Sequence, residues 1–490
     1  MRPDFLLEAV SPVKVAGRLP ESCAGLTHDS RRVTPGAVFF ALPGQRTDGA
    51  RHIADAVRHG ASVVVAEAEP ADMTGSVYLQ VRDARRALAH ASAAFYGHPA
   101  RTLKLLGITG TNGKTTVAFL TQYLLEAAGL KSGMIGTVHY DLGARCVPAQ
   151  RTTPEANDLH AMFAAMVAHD CHACVMEVSS HAIEQRRIEG LEFATAAFTN
   201  LTRDHLDYHG DMAAYYQTKK KLFTHLAPGG RAVVSMDDPH GCRLADELEN
   251  SELLTTSIDA PADVSAESLS LKATESTFML RTPEGRWPCS LPLIGRFNVT
   301  NALSALSLVH ALGVSWRDST EILNGAPAVP GRLEALRAGQ PFSVFVDYAH
   351  TDDALRQVLA TLRELSPARL LVAFGCGGNR DEGKRRAMGR AAAECADVTI
   401  VTTDNPRAED PATIARQVEA GYRGVREDGC EVELDRERAI DEILRQAREG
   451  DTVLIAGKGH ETVQEFAEGA VPFDDRQVAS AVLAAMGHER

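Results

Sequence analysis

The stretch LLGITGTNGKTTVAFL, residues 105–120, constrains the fold more than any other part of the chain. Leu103 to Ile108 is a short apolar run and reads as a buried strand. Gly107, Gly110 and Gly113 punctuate the end of this run and the turn after it, and Lys114, Thr115 and Thr116 come directly behind them. Val117, Leu120, Leu124 and Ala128 then recur at three- and four-residue intervals, and Gly129 takes the C-cap position, so a helix is predicted. Strand, glycine turn and helix make a phosphate site, because a helix start offers unbonded N–H groups and the positive end of its dipole to an anion. The spacing departs from the common loop, G-x-x-x-x-G-K-[ST], since Ile108 stands where the first glycine would be. An ordinary strand–helix turn with a chance lysine is the competing reading. It does not explain why glycines, Lys and Thr-Thr fall in register. Gly110, Thr111, Asn112, Gly113, Lys114, Thr115 and Thr116 are therefore predicted to bind ATP or GTP. Lys114 would reach the β and γ phosphates and Thr115 would offer its hydroxyl to Mg²⁺.

The 490 residues suffice for about three domains. Residues 1–98 alternate strand-like AVFFAL and ASVVVAE with helical segments, and GHP at 97–99 reads as a linker. Residues 99–330 hold the phosphate loop and further strand candidates at 173–178, 194–200 and 231–236, an alternation that predicts a mostly parallel sheet. GAPAVPG at 325–331 marks the next boundary. Residues 331–490 alternate again and read as a doubly wound sheet, with ligands expected at the strand C-termini. The fold class is α/β in three domains: a small N-terminal α/β domain, a central P-loop domain and a Rossmann-like C-terminal domain.

A net charge of −13 and a pI of about 5.8 make a nucleic-acid partner a poor fit. The nine cysteines show no framework spacing. The one C-x-x-C, Cys171 and Cys174, opens an apolar run and reads as buried thiols in a reducing compartment. MRPDFLLEAVSP carries Asp4 and Glu8 and lacks the apolar core of a signal peptide. No apolar run approaches a membrane span. A soluble, cytoplasmic monomer is expected.

The ordered series GTNGKTT, TTPE, MEVSSHAIEQRRI, TNLTRDHLDYHG, GRFNVTNA, PGRLE, DYAHT, FGCGGNRDEGKR, TTDNPR and GKGHE resembles the Mur ligase family over essentially the whole chain. That family uses the short glycine loop found here. The resemblance implies an ATP-dependent amide ligase of peptidoglycan precursor synthesis. A substrate carboxylate attacks the γ-phosphate, and an amine then displaces phosphate from the acyl phosphate. It further implies a UDP-substrate domain at 1–98, an ATP domain at 99–330 and an amino-acid domain at 331–490.

The resemblance nominates residues for each role. Lys114, Lys219, Glu177 and His205 become the catalytic set, with Mg²⁺ held by Thr115, Glu177, His205 and Lys219 as its CO₂-derived carbamate. On position alone a surface glutamate at a strand end explains Glu177 equally well, and imidazole is an unusual ligand for so hard an ion. Lys220 and Lys221, next to Lys219, read as a solvated helix face. Asn301, Arg332, Asp347 and His350 are implied ATP contacts; helix packing and a surface salt bridge are the alternatives for Asn301 and Arg332. Asp352 replaces the proline of the family's D-Y-A-H-T-P-D. Ser30, Gln45, Arg46, Thr47, Thr152, Thr153, Ser179, Gln185 and Arg187 are implied contacts of UDP-N-acetylmuramoyl-L-alanyl-D-glutamate. Turn roles explain the first-domain residues among them equally well.

Arg380, Asp404, Asn405, Pro406, Arg407, Gly457 and Glu461 are implied contacts of meso-2,6-diaminopimelate. The chemistry is that of lysine with a second carboxylate on its far end, for which a planar guanidinium is the natural partner. Two other functions stay open here. One is the same step with L-lysine, and the other is a nucleotide-binding regulator without ligase chemistry.

Overall fold

The computed structural model describes residues 4–44, 48–68, 76–248, 252–272, 274–365 and 368–488. Gln45, Arg46 and Thr47 lie outside the described residues. The chain clusters into two units. The first comprises Met1–Thr109, Gly129–Ala196 and Thr218–Ala232, and the second Gly110–Ala128, Ala197–Gln217 and Val233–Arg490.

In the first unit, strand alternation divides the N-terminal core between the two faces of one sheet. Val38, Phe40, Val63, Val65 and Leu79 join one apolar cluster, while Phe39, Ala41, Val64, Ala66 and Tyr78 join another. The five strands run in the order Lys14–Ala16, Val77–Gln80, Val63–Ala66, Val38–Phe40 and Leu26–Thr27, parallel except for the first pair. Also in this unit, Ala173–Glu177 lies between Lys104–Thr109 and Ser132–Ile135, parallel to both. Gly107 is required there: a Cβ would meet the Phe193 ring at 2.9 Å. Short antiparallel strands His139–Asp141 and Cys146–Pro148 extend the sheet beyond Ser132–Ile135.

In the second unit, the helix Lys114–Ala127 buries Val117, Leu120, Leu124 and Leu125 and starts at Gly113, whose φ is +89°. The C-terminal sheet has six strands, in the order Glu334–Leu336, Ser343–Asp347, Thr452–Ala456, Leu370–Phe374, Val398–Val401 and Cys430–Val432. Only the first pair is antiparallel. Leu370, Val372 and Phe374 pack with helix residues Leu355 and Leu359 on one face, and Leu371 and Ala373 pack with Ile440 and Leu483 on the other. This is the expected doubly wound arrangement.

The central region adds something the parallel expectation did not include. Strands Val264–Leu271, Ser276–Thr282 and Gly285–Leu291 pair antiparallel in succession. Asp352 is the first residue of the helix Asp352–Leu365. The first turn tolerates proline because its N–H groups need no helical partner. An acidic residue is favoured in that turn by the helix dipole, so the departure from the family pattern leaves the helix start intact.

Cys171 and Cys174 are buried, as expected, and none of the nine cysteines forms a disulfide. Cys146 is exposed. Among the described residues no helix is long and apolar enough to cross a membrane.

Candidate active site

The glycine loop of the second unit is built by close approach. Gly110 has φ +148°, and a Cβ there would collide with the Thr199 hydroxyl. A Cβ on Gly113 would overlap the Asn301 side-chain oxygen, so Asn301 packs directly against the loop. The Thr111 N–H donates to the Asn200 carbonyl at 2.9 Å, and the Asn112 N–H to Asn200 Oδ1 at 2.9 Å. Lys114 Nζ donates to the carbonyls of Gly110 at 2.9 Å and Thr111 at 2.8 Å, which holds the ammonium across the loop. Arg332 Nη2 donates to Thr115 Oγ1 at 3.0 Å, and its guanidinium lies 4.7 Å from the Tyr348 ring centre. Arg332 therefore reaches the hydroxyl nominated as a metal ligand. Asn112 Nδ2 donates to Asp353 Oδ2 at 3.0 Å, tying the loop to the start of the helix Asp352–Leu365.

Asp347 ends its strand with both oxygens engaged, Oδ2 by the Leu333 N–H at 2.6 Å and Oδ1 by the Ala349 N–H at 2.7 Å. Burial raises its pKa. Burial, with the nearby Lys384 charge, lowers the pKa of His350 to about 4, so the imidazole is neutral near pH 7. His205 sits in the left-handed region at φ +54°, with its Nε2 3.5 Å from Asp204 Oδ2.

The C-terminal sheet brings the diaminopimelate candidates to the ends of its strands, where such sheets bind ligands. Gly457 follows Thr452–Ala456, Arg380 lies beyond Leu370–Phe374, and Asp404 to Arg407 follow Val398–Val401. Asn405 Nδ2 donates to Glu461 Oε2 at 2.8 Å. The Arg407 side chain, 26% exposed, donates from Nη1 to the Gly378 carbonyl at 2.9 Å and pairs through Nε with Glu465 at 2.8 Å. A Cβ on Gly377 would stand 3.2 Å from Arg407 Nη1 and 4.0 Å from Arg380 Cγ, so the Arg407 guanidinium and the stem of Arg380 both border this glycine. Arg385, buried on the helix Gly383–Cys395, holds Glu409 of the loop after Val398–Val401: its Nη2 donates to both carboxylate oxygens, at 2.9 and 2.8 Å. Burial and the Lys458 charge act in opposite directions on Asp404, and its pKa ends lowered.

In the first unit, Glu177 is 1% exposed and ends its strand. Its Oε1 accepts the Thr137 N–H at 2.8 Å and its Oε2 the Thr137 hydroxyl at 2.9 Å. Thr137 Oγ1 also lies 3.1 Å from Thr152 Oγ1. Thr153 Oγ1 donates to the Glu177 carbonyl at 2.8 Å and lies 3.3 Å from Ser179 Oγ. Arg187 donates to the Thr153 carbonyl at 2.6 Å and to Gln185 at 2.7 Å, and pairs with Glu155 at 3.0 Å. Thr152, Thr153, Ser179, Gln185 and Arg187 are thus brought together. Ser30 opens a short 3₁₀ turn, and its carbonyl lies 3.0 Å from His59 Nδ1. Lys219 is 1% exposed on the helix Met212–Lys220.

The donors nominated for a metal fall in both units: Glu177 and Lys219 in the first, Thr115 and His205 in the second. Among the described residues no cluster of three or more His, Cys, Asp or Glu side chains forms. The donor chemistry suits Mg²⁺ nonetheless. Glu177 offers a carboxylate and Thr115 a hydroxyl, and such oxygens are what a hard dication takes.

Residues 22–96 match the Mur ligase family catalytic domain, 108–309 the Mur ligase middle domain and 331–459 the Mur ligase glutamate ligase domain. Over 99% of both chains, the sequence is 44% identical to UDP-N-acetylmuramoyl-L-alanyl-D-glutamate–2,6-diaminopimelate ligase of Solibacter usitatus (strain Ellin6076). This chain belongs to the Mur ligase family. A Geobacillus kaustophilus ligase of the same name is 43% identical over 94% of this chain and 95% of its own. A solved ligase of that name superposes with a TM-score of 0.68 at 31% identity, covering 99% of both chains. The MurF ligase of Thermotoga maritima, in complex with ADP, shares the fold with a TM-score of 0.65 at 17% identity over 94% of this chain and 96% of that one. The Mur ligase described here has the family's three-domain α/β fold.

Three neighbours of the site escaped the sequence reading. Thr137 holds Glu177. Glu155 is 8% exposed and gathers Arg85, Arg151 and Arg187 at 3.5, 2.7 and 3.0 Å. Lys458 is fully buried beside Glu461. Glu155 lies within the TTPE motif and Lys458 within GKGHE, so both charges were visible without their partners; for Thr137 no local signal existed.

Proposed function

We propose that this Mur ligase joins meso-2,6-diaminopimelate to UDP-N-acetylmuramoyl-L-alanyl-D-glutamate in cytoplasmic peptidoglycan precursor synthesis, converting ATP to ADP and phosphate. The observation that carries this is likeness at 44% identity, over 99% of both chains, to a ligase of that name. We place the domain boundaries at 1–98, 99–330 and 331–490. One chain supplies every residue the reaction needs, so a monomer suffices.

In the first step a carboxylate oxygen of the D-glutamate attacks the γ-phosphorus, the bond to ADP breaks and an acyl phosphate forms. In the second, the diaminopimelate amine attacks the acyl carbon. A C–N bond forms, the C–O bond to phosphate breaks, and the amine loses a proton. Two anions must meet in the first step, so positive charge at the phosphates is the main requirement. Gly110 to Thr116 supply loop amides and the Lys114 ammonium, Arg332 adds a guanidinium beside Thr115, and Asn301, Asp347 and His350 complete the nucleotide site. Thr115, Glu177, His205 and the carbamate of Lys219 would hold Mg²⁺, which screens phosphate charge when bound. Ser30, Gln45 to Thr47, Thr152, Thr153, Ser179, Gln185 and Arg187 take the UDP-substrate.

Arg407 and Arg380 receive the distal carboxylate of diaminopimelate, and Glu461 its ammonium, with Asp404, Asn405, Pro406 and Gly457 shaping the loops. Arg407→Ala is expected to raise KM for diaminopimelate by about 2 kcal/mol, roughly thirtyfold, because a carboxylate loses its charged partner. KM for ATP should hold. Steady-state kinetics varying one substrate at a time make the test, and an unchanged diaminopimelate KM would remove Arg407 from the site. The function itself is tested by a product assay with the UDP-dipeptide, ATP and a panel of amino acids.

A further inference from the structure

Lys458 is fully buried, and its ammonium is the centre of a closed network. Nζ donates to Asn405 Oδ1 at 3.1 Å, Glu461 Oε2 at 2.8 Å and the Val463 carbonyl at 2.6 Å. An ammonium has three donors, and each has an acceptor here. Asn405 closes the triangle: its Nδ2 donates to the same Glu461 Oε2 at 2.8 Å, while its Oδ1 also accepts the Glu465 N–H at 3.0 Å. Two donors therefore clamp one oxygen of Glu461. Its other oxygen accepts no hydrogen bond among the described residues, and the side chain is 26% exposed.

The loop that carries Lys458 has no slack. Gly457 and Gly459 flank it at φ +111° and +55°. A Cβ on Gly457 would meet Asp404 Oδ2 at 2.5 Å, and one on Gly459 would meet Tyr348 Cβ at 2.7 Å. Arg407, the candidate carboxylate partner, is itself held by the Gly378 carbonyl and by Glu465. The backbone N–H of Glu465 is bonded to Asn405, so the anionic and cationic anchors share one frame.

We infer that Lys458 is a positioning residue that aims the outer oxygen of Glu461 at the distal ammonium of diaminopimelate, and thereby sets the choice between its stereoisomers. This rests on the diaminopimelate specificity proposed for the same site. The distal carbon bears an ammonium, a carboxylate, a hydrogen and the chain. With the chain entering from the reaction end and the carboxylate on Arg407, a fixed Glu461 reaches the ammonium in only one configuration. Inverting that carbon, as in the LL isomer, puts hydrogen where the ammonium belongs. Without Lys458 the Glu461 carboxylate keeps only its Asn405 contact and can follow the ammonium to either side.

The test compares kcat/KM for the meso and LL isomers in the wild-type ligase and in Lys458→Met. The wild-type protein is expected to favour the meso isomer by about a hundredfold or more, as a site built around charged hydrogen bonds does. In Lys458→Met that ratio should fall at least about tenfold, through KM for diaminopimelate, with KM for ATP and the UDP-dipeptide unchanged. If the methionine variant does not fold, judged by thermal unfolding, Lys458→Gln carries the same comparison. It retains an amide donor for Glu461, and its ratio should fall below that of the wild-type ligase by a smaller factor than the roughly tenfold expected of the methionine variant. A folded variant that keeps the wild-type ratio, or loses activity equally with both isomers, overturns the inference and leaves the ligase assignment standing. A wild-type protein that makes no product with either isomer overturns the diaminopimelate specificity and this inference with it.

Discussion

Lys219→Ala is expected to lower kcat for ligation by about a thousandfold or more, the scale on which a charge-stabilising group acts in a transition state. Half-buried Lys220→Ala and exposed Lys221→Ala should stay within about twofold, as substitutions away from a core or site do. Three adjacent lysines are chemically identical in the sequence, and burial separates them. Lys219 is 1% exposed, whereas Lys221 is 53% exposed and pairs with Glu184 at 2.9 Å. Keeping an ammonium out of water is expensive. Attack of the neutral amine on CO₂ forms a C–N bond, releases one proton and replaces the cation with two carbamate oxygens. Acetate or formate added to Lys219→Ala should restore part of the activity by supplying the missing anion. Labelling with ¹³CO₂ should give one carbamate signal in the wild-type protein that the variant lacks. An active protein with unmodified Lys219 in its substrate complex would contradict this account.

The second large effect belongs to the phosphate loop. Lys114→Ala should reduce kcat/KM for ATP by about a thousandfold, since the loop loses the ammonium that meets the transferring phosphate. Thermal unfolding should change little. Lys114 is partly exposed and donates to carbonyls of its own loop at 2.9 and 2.8 Å. Turnover close to that of the wild-type protein would sink the assignment of Gly110 to Thr116.

The readable parts of this protein are those where chemistry and conformation are local. Gly113 at φ +89°, followed by an apolar helix stripe, needs only a dozen consecutive residues to be recognised. The C-terminal sheet was legible because strands buried on both faces are continuous apolar runs, such as Leu370–Phe374 and Thr452–Ala456. The antiparallel strands at 264–291 hid behind their own alternation. Ser276–Thr282 buries every second residue, and two of those four are Ser276 and Thr282, so the apolar signal is diluted. Lys458 stands in the GKGHE motif, but its role was hidden for a different reason. A lysine between two glycines reads as solvent-facing, and its partner Asn405 lies 53 positions away in the chain. Glu155 stood in a recognised motif, but only the fold brings Arg85 and Arg187 to it. Long-range ion pairs leave no periodic trace, so motif order located the site while the network that holds it came from the structure.

The central claim is tested most directly by kcat/KM of the wild-type ligase for meso-2,6-diaminopimelate and for L-lysine, each with UDP-N-acetylmuramoyl-L-alanyl-D-glutamate and saturating ATP. Lysine lacks the distal carboxylate proposed to meet Arg407 and Arg380. Such a mismatch in a site built for charged hydrogen bonds costs several kcal/mol, so a preference for diaminopimelate of about a thousandfold is expected. Equal or better use of L-lysine would contradict the assigned specificity, and failure to form an amide with either amino acid would contradict the ligase itself.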